Sequence, residues 1–173
     1  MLRIASFAKV SPEQFIKDWT DTFDQTACQA EEIYSRILLP RRGTSGSAGY
    51  DFFAPAPFTI QPGQTVKIPT GIRVRMEEGW VLACFPRSGL GFKYRLQLDN
   101  TVGIIDSDYW QSDNEGHIFC KLTNDSKQGK TLELEAGTGF MQGIFLPFGI
   151  TLDDSVSDRR NGGFGSTSAK SAK

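Results

Sequence analysis

In the stretch NTVGIIDSDYW, Asn100 to Trp110, two carboxylates flank one serine directly after a β-branched run. Alternate residues of an extended chain share a face, so Asp106 and Asp108 can act together on a metal ion or a water. A solvated acidic turn fits the same pair. Asn100, Gly103, Asp106 and Tyr109 recur at three-residue intervals, but the β-branched residues between them favour a strand and a tight turn over a helix. In PRSGLGFKYR, Pro86 closes an apolar run, Ser88 can cap a short helix, and Gly89 and Gly91 allow backbone N–H groups to approach a ligand. With Arg87 beside them these groups suit a polyphosphate; an ordinary turn with a surface arginine is the plainer alternative.

Asp51 in SAGYDFFA and Gln142 in GFMQGIFLPF are polar residues inside apolar strands. Each either faces solvent or serves a polar task, because an unpaired buried amide costs about 1–3 kcal/mol. Near the chain end, RRNGGFGSTSAK sets glycines around Phe164, with Arg159 before it and hydroxyls after it. A linker has no use for that phenylalanine. His117, the sole histidine, reads as a plain strand residue, and without a second histidine or a cysteine cluster neither a zinc site nor a Ser-His-Asp hydrolase is expected.

The elements that must position these residues are mostly strands. Thr65–Ile68, Ile72–Met76, Trp80–Pro86, His117–Thr123 and Gly139–Phe148 read as strands separated by turn chemistry such as Pro62-Gly63. Residues 11 to 37 form the one helical stretch: Ser11 as N-cap, Pro12 first, Gln14 as reciprocal capping partner, and Phe15, Trp19 and Phe23 on one face. A break is expected near Asp24 to Thr26. The whole is read as one domain over residues 1–173, with an accessory helical extension (1–37), a β core (38–152) and an extended arm (153–173). Nineteen basic against 20 acidic residues give a formal charge of −1, which excludes a global basic field for nucleic acid. Three scattered cysteines and the absence of a long apolar run point to the cytoplasm, with no membrane span.

Taken in order, AGYDFFA, PRSGLGFKYRLQLDN, GIIDSDY, FMQGIFLPF and RRNGGFGST resemble the five motifs of the homotrimeric dUTP pyrophosphatase (dUTPase) family. The resemblance spans residues 47 to 168. It implies an all-β fold, a β-clip or jelly-roll-like distorted barrel, and a homotrimer whose three sites each draw on all three chains. It also implies Mg²⁺-dependent hydrolysis of dUTP to dUMP and pyrophosphate. On the matching positions, Asp106 is the general base for the water attacking the α-phosphorus, and Tyr109 lies against the deoxyribose. Asn100 and the backbone at Gly103 read the uracil edge. Arg87, Ser88, Gly89 and Gln142 hold phosphates, and Asp51 orients a magnesium-bound water. Phe164 stacks on the base, Arg159 meets the γ-phosphate, and Gly165, Ser166 and Thr167 complete a closing arm.

Three features depart from the family pattern. The glycine after the tyrosine is delayed to Gly116, so WQSDNE reads as a short insertion, and Arg160 and Ser168 stand where glycines are common. EGHIFCKLTN is similar to the dCTP deaminase branch of the fold, but Lys121 replaces the glutamate that deamination needs. A nucleotide-responsive protein-binding module and a carbohydrate-binding jelly roll are further alternatives.

Overall fold

Ser11 opens the first helix: its hydroxyl accepts from the Gln14 amide at 3.1 Å, and Pro12 takes the first helical position. Proline costs nothing there because that N–H has no intrahelical partner. The structure, a computed structural model, describes residues 2–157. The expectations for Arg159, Arg160, Phe164, Gly165, Ser166, Thr167 and Ser168 lie outside the described residues.

Helix α1 (Pro12–Thr22) is followed, after the expected break, by α2 (Ala27–Arg36), which opens on a capping box of Thr26 and Gln29. The reciprocal cap expected of Gln14 is absent. Gln14 Nε2 donates instead to Asp18 at 2.8 Å, one turn along. The Ser11 N–H and hydroxyl both donate to the Glu115 carboxylate, at 2.8 and 2.6 Å. A carboxylate can accept both bonds on separate oxygens, which a glutamine amide cannot.

The helical segment is not an added layer. Phe15 and Trp19 are buried in the same cluster as Phe52, Ile68, Leu82, Leu122 and Phe140 of the strands. Phe15, Trp19 and Phe23 stack in sequence, with centroids 5.3 and 4.6 Å apart, and Phe23 reaches Phe58 at 5.9 Å. Burying each such ring contributes about 1.5–3 kcal/mol. The segment read as helical also contains a strand, β1 (Ala5–Lys9). Its five residues carry little pattern of their own, and their partner lies far along the chain.

The strands that follow are β2 (Arg41–Arg42), β3 (Tyr50–Phe53), β4 (Phe58–Ile60), β5 (Thr65–Pro69), β6 (Ile72–Met76) and β7 (Trp80–Pro86). After the short helix α3 (Ser88–Tyr94) come β8 (Leu96–Leu98) and β9 (Gly103–Asp106), then a 3₁₀ turn over Ser107–Gln111. β10 (Phe119–Asn124), β11 (Leu132–Leu134) and β12 (Gly139–Pro147) complete the described core. All pairs are antiparallel: a five-stranded sheet β2-β3-β12-β7-β9, a three-stranded sheet β5-β10-β8, and the pairs β1-β6 and β11-β4. The result is the expected all-β, jelly-roll-like fold, its inward strand faces closing on one apolar core.

His117 corrects its plain reading. It precedes β10 and is fully buried, its Nε2 accepting from the Gly71 N–H at 2.8 Å and its Nδ1 lying 2.6 Å from Asp18. Because Nε2 accepts, the ring proton sits on Nδ1 and is donated to Asp18, so the imidazole is neutral. The pair joins the β core to α1.

Candidate active site

Five of the expected residues, Asp51, Arg87, Ser88, Gly89 and Gln142, lie at one end of the five-stranded sheet. The register sets Gln142 opposite Asp51 on one flank and Phe85 on the other, so β3, β12 and β7 present their ends together. Arg87 follows β7 at this end. Its Nε lies 3.2 Å from Asp51 Oδ1, and its Nη1 donates to the Gly139 carbonyl at 2.9 Å. A Cβ at Gly139 would come within 2.5 Å of that Nη1, so only glycine lets the guanidinium lie against the strand. Gln142 Nε2 donates to the Pro86 carbonyl at 3.3 Å, which answers why an amide interrupts an apolar strand.

Ser88 is displaced by one position from its expected role: Arg87 occupies the N-cap of α3, without a side-chain cap bond, and Ser88 is the first helical residue. The Leu90 and Gly91 amides both turn to the Arg87 carbonyl. Ser88 and Gly89 are exposed, with first-turn amides that point away from the helix's own carbonyls. A guanidinium, a hydroxyl, two amides and a side-chain amide thus lie near one sheet end, donors of the kind that could make it an anion-binding surface.

A second group forms a cleft of about 160 Å³. β9 and the turn before it contribute Asn100, Gly103 and Ile105 to its lining, β10 and the residue before it Ile118, Phe119, Cys120 and Lys121, and Cys84 and Met141 also line it. Gly103 lies opposite Cys84 in the β9–β7 ladder. Burial pushes the Cys84 thiol up to about 12. Cys120 is also raised, by burial first and then by Cys84 and Asp99. Both are neutral thiols, so apart from the Asp99–Lys121 pair the lining is uncharged and largely apolar, suited to a flat heterocycle read by a few polar groups. At the rim Lys121 pairs with Asp99 at 3.1 Å. Burial would raise the Asp99 carboxyl, but bonds from Thr123 and Lys121 outweigh it and hold it low. Sequence reasoning assigned no role to Cys84, Met141 or Asp99, and singled out Lys121 only through the deaminase comparison.

Asp106 ends β9 opposite Val81 and is half-buried. Asp108 is exposed and lies in the 3₁₀ turn, so the shared face expected of the two acids does not form. The chain coils directly after Asp106, and the period of two ends with the strand. Tyr109 is 6% exposed and does not line the cleft; its hydroxyl donates to the His117 carbonyl and accepts from Asn114 Nδ2, both at 2.8 Å. Within one chain, Asp106 and the anion-binding surface sit at opposite ends of β7. Six residues separate Val81 from Arg87, about 20 Å of strand.

Among the described residues no group of three His, Cys, Asp or Glu side chains could cage a metal. A single carboxylate, Asp51, beside an anion-binding surface instead fits Mg²⁺, which usually keeps waters and takes most protein-derived charge from one or two carboxylates plus ligand phosphates. A larger concavity, about 860 Å³, runs between β1, the Glu77–Glu78 turn and the 3₁₀ segment. It holds Asp108 but none of Asp51, Arg87, Asn100, Gly103 or Gln142, so size does not mark the chemistry here.

Known proteins match the same regions. The dUTPase family model matches residues 35–168. The deoxyuridine 5'-triphosphate nucleotidohydrolase of Lactococcus lactis is 40% identical over 136 residues, covering 77% of this chain and 89% of the relative. The crystal structure of the Streptococcus mutans dUTPase superposes with a TM-score of 0.62 at 36% identity, over 84% of this chain and 98% of that one. A mutant dUTPase from Staphylococcus aureus phage phi11, described for its coordination of a structural Mg(II) ion, shares the fold at 17% identity and a TM-score of 0.62, over 90% and 98% of the two chains. With the five motifs in order, an all-β fold that brings three of them to one sheet end, and a family match over most of its length, this chain belongs to the dUTPase family.

Proposed function

We propose that this chain hydrolyses dUTP to dUMP and pyrophosphate, so removing dUTP from the nucleotide pool, in a site completed by neighbouring copies of itself. The observation that carries the reading is the meeting of Asp51, Arg87, Ser88, Gly89 and Gln142, from three distant segments, on one anion-binding surface. Four of these five can donate hydrogen bonds to phosphate oxygens, and Arg87 keeps its Nη2 side available. The apolar cleft holds uracil, with the Asn100 side chain and the Gly103 backbone reading its polar edge. Cytosine, with donor and acceptor exchanged, would leave those partners unpaired.

Asp106 accepts a proton from water as the water oxygen bonds to the α-phosphorus; the α–β bridging oxygen leaves with pyrophosphate. The 20 Å between Asp106 and Arg87 of one chain supports a cyclic assembly in which one protomer supplies cleft and base and another the phosphate clamp; we take it to be a homotrimer. Asp51 would orient a water on Mg²⁺, which when bound neutralises charge on the phosphates. Tyr109, pinned by its hydroxyl, serves as a fixed wall towards the sugar. Arg159, Phe164, Gly165, Ser166 and Thr167 would close over the nucleotide and exclude water. Free cysteines support a cytoplasmic setting.

Product analysis across dUTP, UTP and the other deoxynucleoside triphosphates tests this. Pyrophosphate should form preferentially from dUTP and be lost in Asp106→Asn while nucleotide binding persists. Ammonia release from dCTP would favour the deaminase alternative, against which Lys121 stands paired with Asp99 at the cleft rim. Equal turnover of UTP, or full activity in Asp106→Asn, would sink the assignment.

A further inference from the structure

Helix α1 lies outside residues 35–168, the part matched to the family, and Trp110–Glu115 reads from the resemblance as an insertion in the family motif. The structure bonds these two segments to each other. Both oxygens of Glu115 are taken by Ser11, the N-cap of α1. Arg73 Nη1 lies 3.5 Å from the same carboxylate, its Nη2 donates to the Trp110 carbonyl at 2.7 Å, and its guanidinium sits 3.6 Å over the Trp110 ring. Two turns along α1, Asp18 holds His117, whose carbonyl accepts the Tyr109 hydroxyl. The segment that follows Asp106 is therefore tied to α1 and its cap at Glu115 and His117, and to Arg73 at Trp110 and Glu115.

That segment has little shape of its own. Residues 112 to 118 form no strand or helix, and Glu115 and Gly116 take left-handed backbone at φ 58° and 69°. The chain folds back so closely that a Cβ at Gly116 would meet the Tyr109 carbonyl oxygen at 2.7 Å. Contacts from outside must hold such a path: α1 and its cap reach Glu115 and His117, Arg73 on β6 reaches Trp110 and Glu115, and Thr70, Gly71 and Ile72 bond His117 and Ile118. Burial would raise the Glu115 carboxyl, yet the Ser11 bonds and Arg73 outweigh it, so the tie is an ionised carboxylate.

We propose that α1 is a positioning element for the catalytic turn: Ser11 through Glu115 and its partner Arg73 holds Trp110, Asp18 through His117 holds Tyr109, and together they set the strand end that carries Asp106. The proposal rests on the reading of Asp106 as the base. It concerns turnover more than substrate binding, because neither Ser11 nor Glu115 lines the cleft or the anion-binding surface. A displacement of about 1 Å at a reacting group costs up to about a hundredfold in rate.

Steady-state kinetics on the full chain test it, using Ser11→Ala, Glu115→Gln, Glu115→Ala and the double variant S11A/E115A, with thermal melts in the same buffer. Glu115→Ala should lower kcat by about tenfold or more while KM for dUTP changes by less than about twofold. Glu115→Gln, which keeps one acceptor oxygen, should fall between Glu115→Ala and wild type. The double variant should be no slower than Glu115→Ala, since Ser11 acts through Glu115. Wild-type kcat in Glu115→Ala, independent losses that multiply in the double variant, or a loss accounted for by the unfolded fraction overturns the proposal. Failure of the underlying reading has a separate signature: Asp106→Asn then keeps wild-type turnover, whatever the Glu115 variants do.

Discussion

Two separately inactive variants should rescue each other if the half-sites belong to different chains. Asp106 faces Val81 at the start of β7 and Arg87 follows its end, so their backbones are about 20 Å apart in one protomer. In-line attack needs the water within about 3.5 Å of the phosphorus, so a single chain cannot bring its own base to the phosphate its own Arg87 holds. Asp106→Asn should lower kcat by about 10²- to 10⁴-fold. Arg87→Ala should do comparable damage by removing the charge on the phosphates. The two chains are co-expressed with different tags, purified through both, and checked by native mass spectrometry. For random cyclic assembly from equal amounts, a site works when its base comes from an Arg87→Ala chain and its clamp from an Asp106→Asn chain. Purification through both tags removes the pure assemblies, and every mixed trimer has one such junction in three, so about one third of wild-type activity is expected, against almost none from either variant alone. Mixed assemblies with no recovered activity would refute the reasoning, as would full turnover by a dilute monomer.

Gly139→Ala forces its Cβ to 2.5 Å from Arg87 Nη1, a flexible side-chain end, so stability should fall by less than about 1 kcal/mol while KM for dUTP rises about tenfold; calorimetry and kinetics read the two effects separately. Asp18 is half-buried, which would raise its carboxyl, but bonds from His117 and Gln14 outweigh this and hold it below its ordinary 3.8; Glu115 is held below 4.5 in the same way. A folded pKa below the unfolded one stabilises the fold above the unfolded value, and that contribution is lost as pH falls through the folded value. Tm should therefore drop below about pH 4.5, and less steeply in Glu115→Gln; a wild-type Tm that does not change down to about pH 3 would contradict the two ties. Cys28 is exposed while Cys84 and Cys120 are buried, with the Cys84 thiol near 12. Iodoacetamide on the native protein should modify Cys28 alone by mass spectrometry, and all three after unfolding; native labelling of Cys84 would show that the cleft opens.

The elements with strong local patterns were legible. Ile72–Met76 and Trp80–Pro86 fall where alternation and turn residues put them, and Ser11 and Pro12 mark the start of α1. β1 was not, because five weakly patterned residues become a strand only through pairing with β6. The anion-binding residues were legible as types, yet nothing in their spacing says that Asp51 and Arg87 form an ion pair. The same holds for Glu115 closing the cap at Ser11 from 104 residues away.

Residue types and short-range order were enough to specify the chemistry this chain can carry: an acid at a strand end, glycines beside a guanidinium, and an apolar cleft next to an asparagine. These are local properties, written in side-chain donors, acceptors and backbone freedom. The tertiary structure alone decided which of them meet. It drew Gln142, Asp51 and Arg87 together and held Asp106 a strand-length away, because strand register is set by non-local pairing and by which faces must be buried.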